Sequence, residues 1–184
     1  MTHEEISEQI KAIFEDAITQ SEVAPSGELV VRVVVDQLLM LMGYLKQNQD
    51  YLFDYLSHIT CVDYLDMDPD RENRFEVVYE LYSMSKGHHI RVYVDLPGRE
   101  PILPSVYSLW HGADFPEREL YDMFGIIVMD HPNMSRLIMP EGWEGHPLRK
   151  DYPLVVEEIA FSHNPDHKSE LIKTQEDMKA DPWA

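Results

Sequence analysis

One cysteine, Cys61, occurs in 184 residues, which excludes an intrachain disulfide and a cysteine-ligated iron–sulfur cluster or zinc knuckle. Set in the apolar-leaning stretch HITCVDYL, it reads as a small buried hydrophobe, with a Cys–His nucleophile as the sharper alternative. Basic residues are scarce too: 15 Lys and Arg stand against 34 Asp and Glu, a formal charge of −19. Such a chain repels nucleic acid and anionic lipid, both of which select clustered Lys and Arg. No apolar run nears the roughly 18 residues of a membrane span. The longest, LVVRVVV at 29–35, carries Arg32 and suits a buried strand. The opening MTHEEISEQIKAIFED is acidic, unlike a signal or Arg-rich transit peptide, and implies a cytoplasmic protein. No G-x-G-x-x-G, G-x-x-x-x-G-K-[ST] or G-x-S-x-G occurs, so phosphate cradles and nucleophile elbows find no support.

What is present suffices for one domain with a real core: 44% of the residues are hydrophobic, which is ordinary for a globular chain. Thr2 and Glu5 stand at capping-box spacing, and Ile6, Ile10, Ile13, Ala17 and Ile18 fall on one helical face. A turn at Pro25–Ser26–Gly27 leads into the strand at 29–35. Asp36 is placed to cap a second helix through QLLMLMGYLKQ, whose stripe of Leu39, Met42 and Leu45 faces a core. Residues 51–66 begin helical and become a strand near Ile59. RFEVVYELYSM (74–84) and HIRVYVDL (89–96) form the clearest hairpin, with Gly87 in its turn and His88 and His89 as solvated residues beside it.

Ten of the twelve prolines lie in 97–184, which favours short helices, turns and extended segments over a second regular sheet. LPSVYSLWHG reads as a short helix closed by Gly112, and DFPERELYDMFG as another, closed by Gly125. The expectation is an α+β fold with a mostly antiparallel sheet, packed helices and a Pro-rich extended C-terminal region. Residues 1–112 form the core domain, 113–154 a helix and docking loop, and 155–184 an extended arm.

Three acids and an arginine in PERELYDMFG raise the possibility of a catalytic carboxylate pair. Glu117 and Glu119 are two apart on a helix and point different ways, which disfavours it. Acids in a first turn need no function, and Arg118 and Asp122 stand at ion-pair spacing, while Leu120, Met123 and Phe124 make the apolar face. His131 and His146 each precede a proline, hence extended or turn backbone. His163 and His167 have metal-ligand spacing, but Asn164, Pro165 and Asp166 break the helix it needs. RLIMPEGWEGHPLRKDYPL (136–154) mixes glycine, proline and charge with Trp143, Leu148 and Tyr152. It has the look of a docking element rather than an active site.

These motifs carry a resemblance. E-R-E-x-x-D-x-F-G-I at Glu117, Arg118, Glu119, Asp122, Phe124, Gly125 and Ile126 is followed by H-P-x-x-x-R at His131, Pro132 and Arg136. G-x-P-L-R-K-D-Y-P then lies at Gly145, Pro147, Leu148, Arg149, Lys150, Asp151, Tyr152 and Pro153, just after Trp143. In this order and spacing the motifs resemble the C subunit of NADH:quinone oxidoreductase, the thirty-kilodalton subunit of respiratory complex I. The resemblance runs from about 28 to 154. The family often has an aromatic residue and an asparagine before E-R-E where this chain reads GADFPERE, and this chain carries no fused quinone-site subunit.

The resemblance implies a non-catalytic subunit of the peripheral arm, on the cytoplasmic face of the cell membrane. Its partners would be the quinone-site and terminal iron–sulfur subunits. NAD, FMN, iron–sulfur clusters and quinone would all be held by other chains, and contact with the membrane would be only indirect. The signature residues would serve subunit docking, with Arg118, Asp122 and Arg149 in ion pairs. A ferredoxin-, F420- or hydrogenase-linked relative is the nearest alternative. From other classes come a free-standing acidic enzyme using Glu117, Glu119 or His131, and an acidic adaptor for a basic partner.

Overall fold

The computed structural model describes residues 2–68 and 71–153. The arm expected at 155–184, with His163 and His167, lies outside the described residues. The chain runs α1 (His3–Ile13), β1 (Ile18–Val23), β2 (Leu29–Val33), α2 (Leu38–Gln47), β3 (Tyr55–Asp63), β4 (Phe75–Tyr82), β5 (His89–Leu96), β6 (Ile102–Pro104), α3 (Asp114–Glu119) and β7 (Ile127–Met129). Five strands form one sheet in the order β1-β2-β5-β4-β3. Only the β2–β5 pair is parallel. The fold is α+β with a mostly antiparallel sheet, as the alternating strands implied.

Alternation sets the layers. Leu29, Val31 and Val33 of β2, Ile90, Val92, Val94 and Leu96 of β5, and Phe75, Val77, Tyr79 and Leu81 of β4 are buried in one core. Side chains two apart on a strand share a face, so these strands deliver one apolar surface. From α1, Ile6 and Ile10 close it, and from α2, Leu38, Leu41, Met42 and Leu45.

Several elements differ from the sequence reading. The capping box at Thr2 and Glu5 is formed, but α1 ends at Ile13. Ile13 is exposed and Phe14 takes the next core position. Ala17 and Ile18 therefore lead into β1, a strand that the helical spacing concealed. Asp36 caps nothing. A 3-10 turn at Val35–Gln37 feeds α2 with Gln37 as its N-cap, and the shifted phase leaves Leu39 exposed. Residues 51–54 are not helical. Tyr51 and Phe53, two apart, are both fully buried, a spacing that extended backbone meets and a helix does not.

The hairpin of β4 and β5 is present, its turn closed by Ser83 N–H to His88 O at 2.9 Å. His88 and His89 are half-buried rather than solvated, and His89 Nε2 lies 2.6 Å from Glu80 Oε2. LPSVYSLWHG is not a helix. Its start belongs to β6, which pairs in parallel with β7, a small second sheet that the proline content had argued against. Pro101 and Pro104 sit just before and at the end of β6, where a missing N–H is tolerated.

Candidate functional site

Beyond Glu119, helix α3 widens into a π-turn at Leu120–Phe124 and stops at Gly125, whose φ of 70° is left-handed. Leu120, Met123 and Phe124 are buried, as the helical spacing implied. Asp122 lies in this turn, its side chain fully removed from solvent, and its carboxylate gathers the following loop. Oδ2 accepts the backbone N–H groups of Leu137, Ile138 and Met139 at 3.1, 2.7 and 2.9 Å. Oδ1 accepts Arg136 Nη1 at 2.6 Å. Arg136 Nη2 continues to the Trp143 carbonyl at 2.7 Å. Burial opposes ionisation of Asp122, but these four donors outweigh it and hold its carboxyl below the usual range.

Arg118 does not pair with Asp122. It donates to the carbonyls of Ser135 and Arg136 at 3.0 and 3.1 Å, because Arg136 already occupies the carboxylate. Arg149 likewise serves backbone: Nε reaches the Phe124 carbonyl at 2.5 Å, and the guanidinium lies 5.3 Å from the Phe75 ring centroid. His146 Nδ1 stands 3.0 Å from the Asp122 carbonyl oxygen, and Leu148 N–H donates to Met123 O at 3.0 Å. Two glycines make the approach possible. A Cβ on Gly125 would stand 2.5 Å from the His146 ring and 2.6 Å from Arg149 Nη2, and one on Gly145 2.8 Å from the Tyr152 ring.

A second anchor ties the end of the loop to the sheet. Asp63 Oδ2 accepts the Lys150 N–H at 2.9 Å and Arg74 Nη2 at 2.7 Å, while Oδ1 accepts Arg74 Nε and the Leu65 N–H. Arg74 grips Asp151 on its other side with two bonds of 2.8 Å. Burial works against the charged form of Asp63, yet Arg74 and the two N–H groups keep its carboxyl low. Asp63 is buried and Asp151 is 45% exposed, so the two ends of this chain of charges differ in worth. Removing Asp151 is expected to cost under about 1 kcal/mol. Removing Asp63, which orphans two N–H groups and half of a buried guanidinium, is expected to cost about 3 kcal/mol. Urea unfolding of the two alanine variants measures both, and equal losses would contradict the ranking. Neither Asp63 nor Arg74 belongs to the signature motifs. The available signal was a charged residue at the end of each apolar strand.

Glu117 has a different environment. It is fully buried, and its carboxylate accepts Ser105 Oγ at 2.6 Å and the Val106 N–H at 2.7 Å. Burial pushes its pKa up against those two bonds. Nearby, the buried His131 side chain accepts the Asn133 N–H at Nδ1, 3.1 Å, and turns its Nε2 toward two carboxyls. That nitrogen lies 3.5 Å from Asp114 Oδ1 and 3.7 Å from Glu117 Oε2. Of the proposed acid–base group, Glu117 and His131 come together but with no solvent exposure of their side chains, and Glu119 is only partly covered on another side of the helix. Cys61 is buried, which pushes its thiol up to about 12, the inert reading. The outward members of the signature are Pro132, Gly145, Leu148, Lys150 and Asp151. Trp143, Pro147 and Tyr152 are half-buried, and Trp143 Nε1 has no hydrogen-bond partner among the described residues.

Comparisons with known proteins agree on one group. A family model described as the respiratory-chain NADH dehydrogenase 30 Kd subunit matches residues 31–158. The C subunit of the NADH-quinone oxidoreductase of Herpetosiphon aurantiacus is 45% identical over 141 residues, 77% of this chain and 80% of the relative. That of a Roseiflexus species (strain RS-1) is 42% identical over 161 residues, 88% of this chain and 90% of the relative. Among solved structures, a trypsin-resistant fragment of Nqo5 superposes with a TM-score of 0.63 at 34% identity, covering 72% of this chain and 99% of that one. A chain of an archaeal membrane-bound sulfane sulfur reductase, a respiratory membrane complex, reaches 0.67 at 25% identity, covering 90% and 98%.

Proposed function

Since the chain belongs to the family of the 30 Kd subunit of respiratory-chain NADH dehydrogenase, we infer that its work is architectural. It is the C subunit of an NADH:quinone oxidoreductase, a peripheral-arm subunit of complex I, and its partners are other subunits of that complex. No helix among the described residues is long and apolar enough to cross a membrane, and its attachment to the membrane is peripheral, through the complex.

The finer reading is a scaffold without an active site of its own. Residues 1–112 supply most of the core, and 113–153 a stiff docking segment that packs Leu120, Phe124 and Val128 onto it. Electron carriers and quinone are held by neighbouring chains, and the segment faces the quinone-site and terminal iron–sulfur subunits on the cytoplasmic side. The observation that carries this reading is how the signature residues are used. Asp122, Arg136, Arg118 and Arg149 are committed to internal hydrogen bonds, and Glu117 and His131 are out of solvent's reach. This fixes Leu148, Lys150 and their neighbours as an ordered surface, for which little ordering entropy remains to be lost on docking. Relatives named for NADH–quinone chemistry at 42–45% identity favour that donor over the ferredoxin-, F420- or hydrogenase-linked alternatives.

The test is purification of the tagged chain from gently solubilised native membranes, with mass spectrometry of the accompanying chains and a quinone-reduction assay. Recovery with iron–sulfur, quinone-site and membrane subunits is expected. Recovery alone from the soluble fraction would contradict the reading.

A further inference from the structure

The small β6–β7 ladder is apolar on both of its faces. Leu103 and Val128 point into the core, fully or almost fully buried. Their neighbours Ile102, Pro104, Ile127 and Met129 occupy the opposite face in register. There Ile102 is 40%, Ile127 48% and Met129 52% exposed. A strand with one wet face ordinarily alternates apolar with polar, and this one does not. Ile102, Pro104 and Met129 line a groove of about 460 Å³ together with Val35, Leu39 and Leu96. Its charged lining is of one sign: Asp36, Glu100 and Asp130, all exposed, with no lysine or arginine among the lining residues. Glu100 and Asp130 have φ of 51° and 62°, backbone that non-glycine residues seldom adopt.

We propose that this groove seats an apolar segment flanked by lysine or arginine from a neighbouring subunit of the complex, a conclusion that rests on the family reading above. The charge decides the occupant. Residues 154–184 of the chain itself carry seven acids and three lysines and would meet the carboxylate rim with like charge. A second copy, at −19, would bring the same three carboxylates against themselves. A cation-flanked segment satisfies both the apolar floor and the acidic rim, with the rim setting orientation and rate of encounter.

A photoreactive benzoylphenylalanine placed at Ile102, and separately at Leu39, in the full chain tests this in the assembled complex. Irradiation is expected to give an adduct with another subunit whose cross-linked peptide has apolar residues flanked by Lys or Arg. Neutralising the rim with Asp36→Asn, Glu100→Gln and Asp130→Asn is expected to reduce adduct yield about tenfold, with the melting temperature of the purified chain unchanged. An adduct with residues 154–184, with a second copy, or with a segment lacking flanking cations overturns the proposal. So does an adduct yield that ignores the neutralised rim, or an absent adduct in a complex that still contains the chain. These outcomes leave the family reading standing, whereas a tagged chain never recovered in the complex sinks both.

Discussion

Asp122→Ala is expected to destabilise the chain by about 3–5 kcal/mol, the cost of leaving one partner of a buried ion pair alone. The substitution removes an acceptor from three consecutive N–H groups, Leu137, Ile138 and Met139, and leaves the Arg136 guanidinium facing an empty site. Against the roughly 5–15 kcal/mol that holds a domain together, this is a large share. The Tm of the purified chain should fall by about 10 °C. Because the loop from 131 is gathered at this one carboxylate, the amides of 137–139 should lose hydrogen-exchange protection before those of the sheet. Asp122→Asn keeps an acceptor but not the charge and should lose less. An alanine variant with unchanged Tm and unchanged protection at 137–139 would show that the loop is held by something else.

The same staple has a pH signature. Its donors hold the folded carboxyl of Asp122 below the ordinary carboxylate range, as Arg74 and the N–H groups of Lys150 and Leu65 do for Asp63. The stability each contributes is therefore complete above the unfolded value and lost as pH falls through the folded one. Glu117 runs the other way. With its pKa raised by burial, the folded protein holds that proton more tightly, so its contribution is lost as pH rises. Acid melts of wild type and Asp122→Asn should converge at low pH, where both lack the charge.

Gly125→Ala carries the second large effect, about 3 kcal/mol, from two additive causes. At φ of 70° an alanine pays roughly 1–2 kcal/mol. Its Cβ also meets the His146 ring at 2.5 Å and Arg149 Nη2 at 2.6 Å, and such overpacking costs about 1–3 kcal/mol. Gly87 supplies the control. Its φ of 71° is nearly the same, but nothing lies within 4 Å of where its Cβ would be. Gly87→Ala should thus show the backbone cost alone. Thermal melts of the two variants isolate the steric part by subtraction, and equal losses would mean that His146 and Arg149 move aside freely.

Much of this architecture could be read from the residues. Strand β5 alternates cleanly, β4 beside it is rich in β-branched and aromatic residues, and the capping box at Thr2 and Glu5 fixed the start of α1. The signature was legible as a unit because E-R-E, H-P and R-K-D-Y-P follow one another closely and in the order of the family that they resemble. The partners within it were not. Spacing on a helix pairs Arg118 with Asp122, but the carboxylate is taken by Arg136, 14 residues on, in a loop whose course no periodicity encodes. Asp63 and Arg74 were invisible for a similar reason: their role depends on a chain crossing 87 residues later in sequence. At Ile13 and Leu39 the helical phase misled: both lie within helices but face outward, and Phe14, Leu38 and Leu41 take the core positions beside them. The apolar outer face of β6 and β7 lay among prolines, where three-residue strands leave too short a pattern to see.

The central claim is that the signature residues hold structure and do not perform chemistry. The most direct measurement compares membranes from strains carrying wild type and Asp122→Ala, quantifying both the amount of assembled complex and its NADH:quinone turnover per complex. The account predicts less complex, with turnover per assembled complex unchanged. A normal amount of complex with lost turnover would contradict it and return these carboxylates to the catalytic role that their geometry argues against.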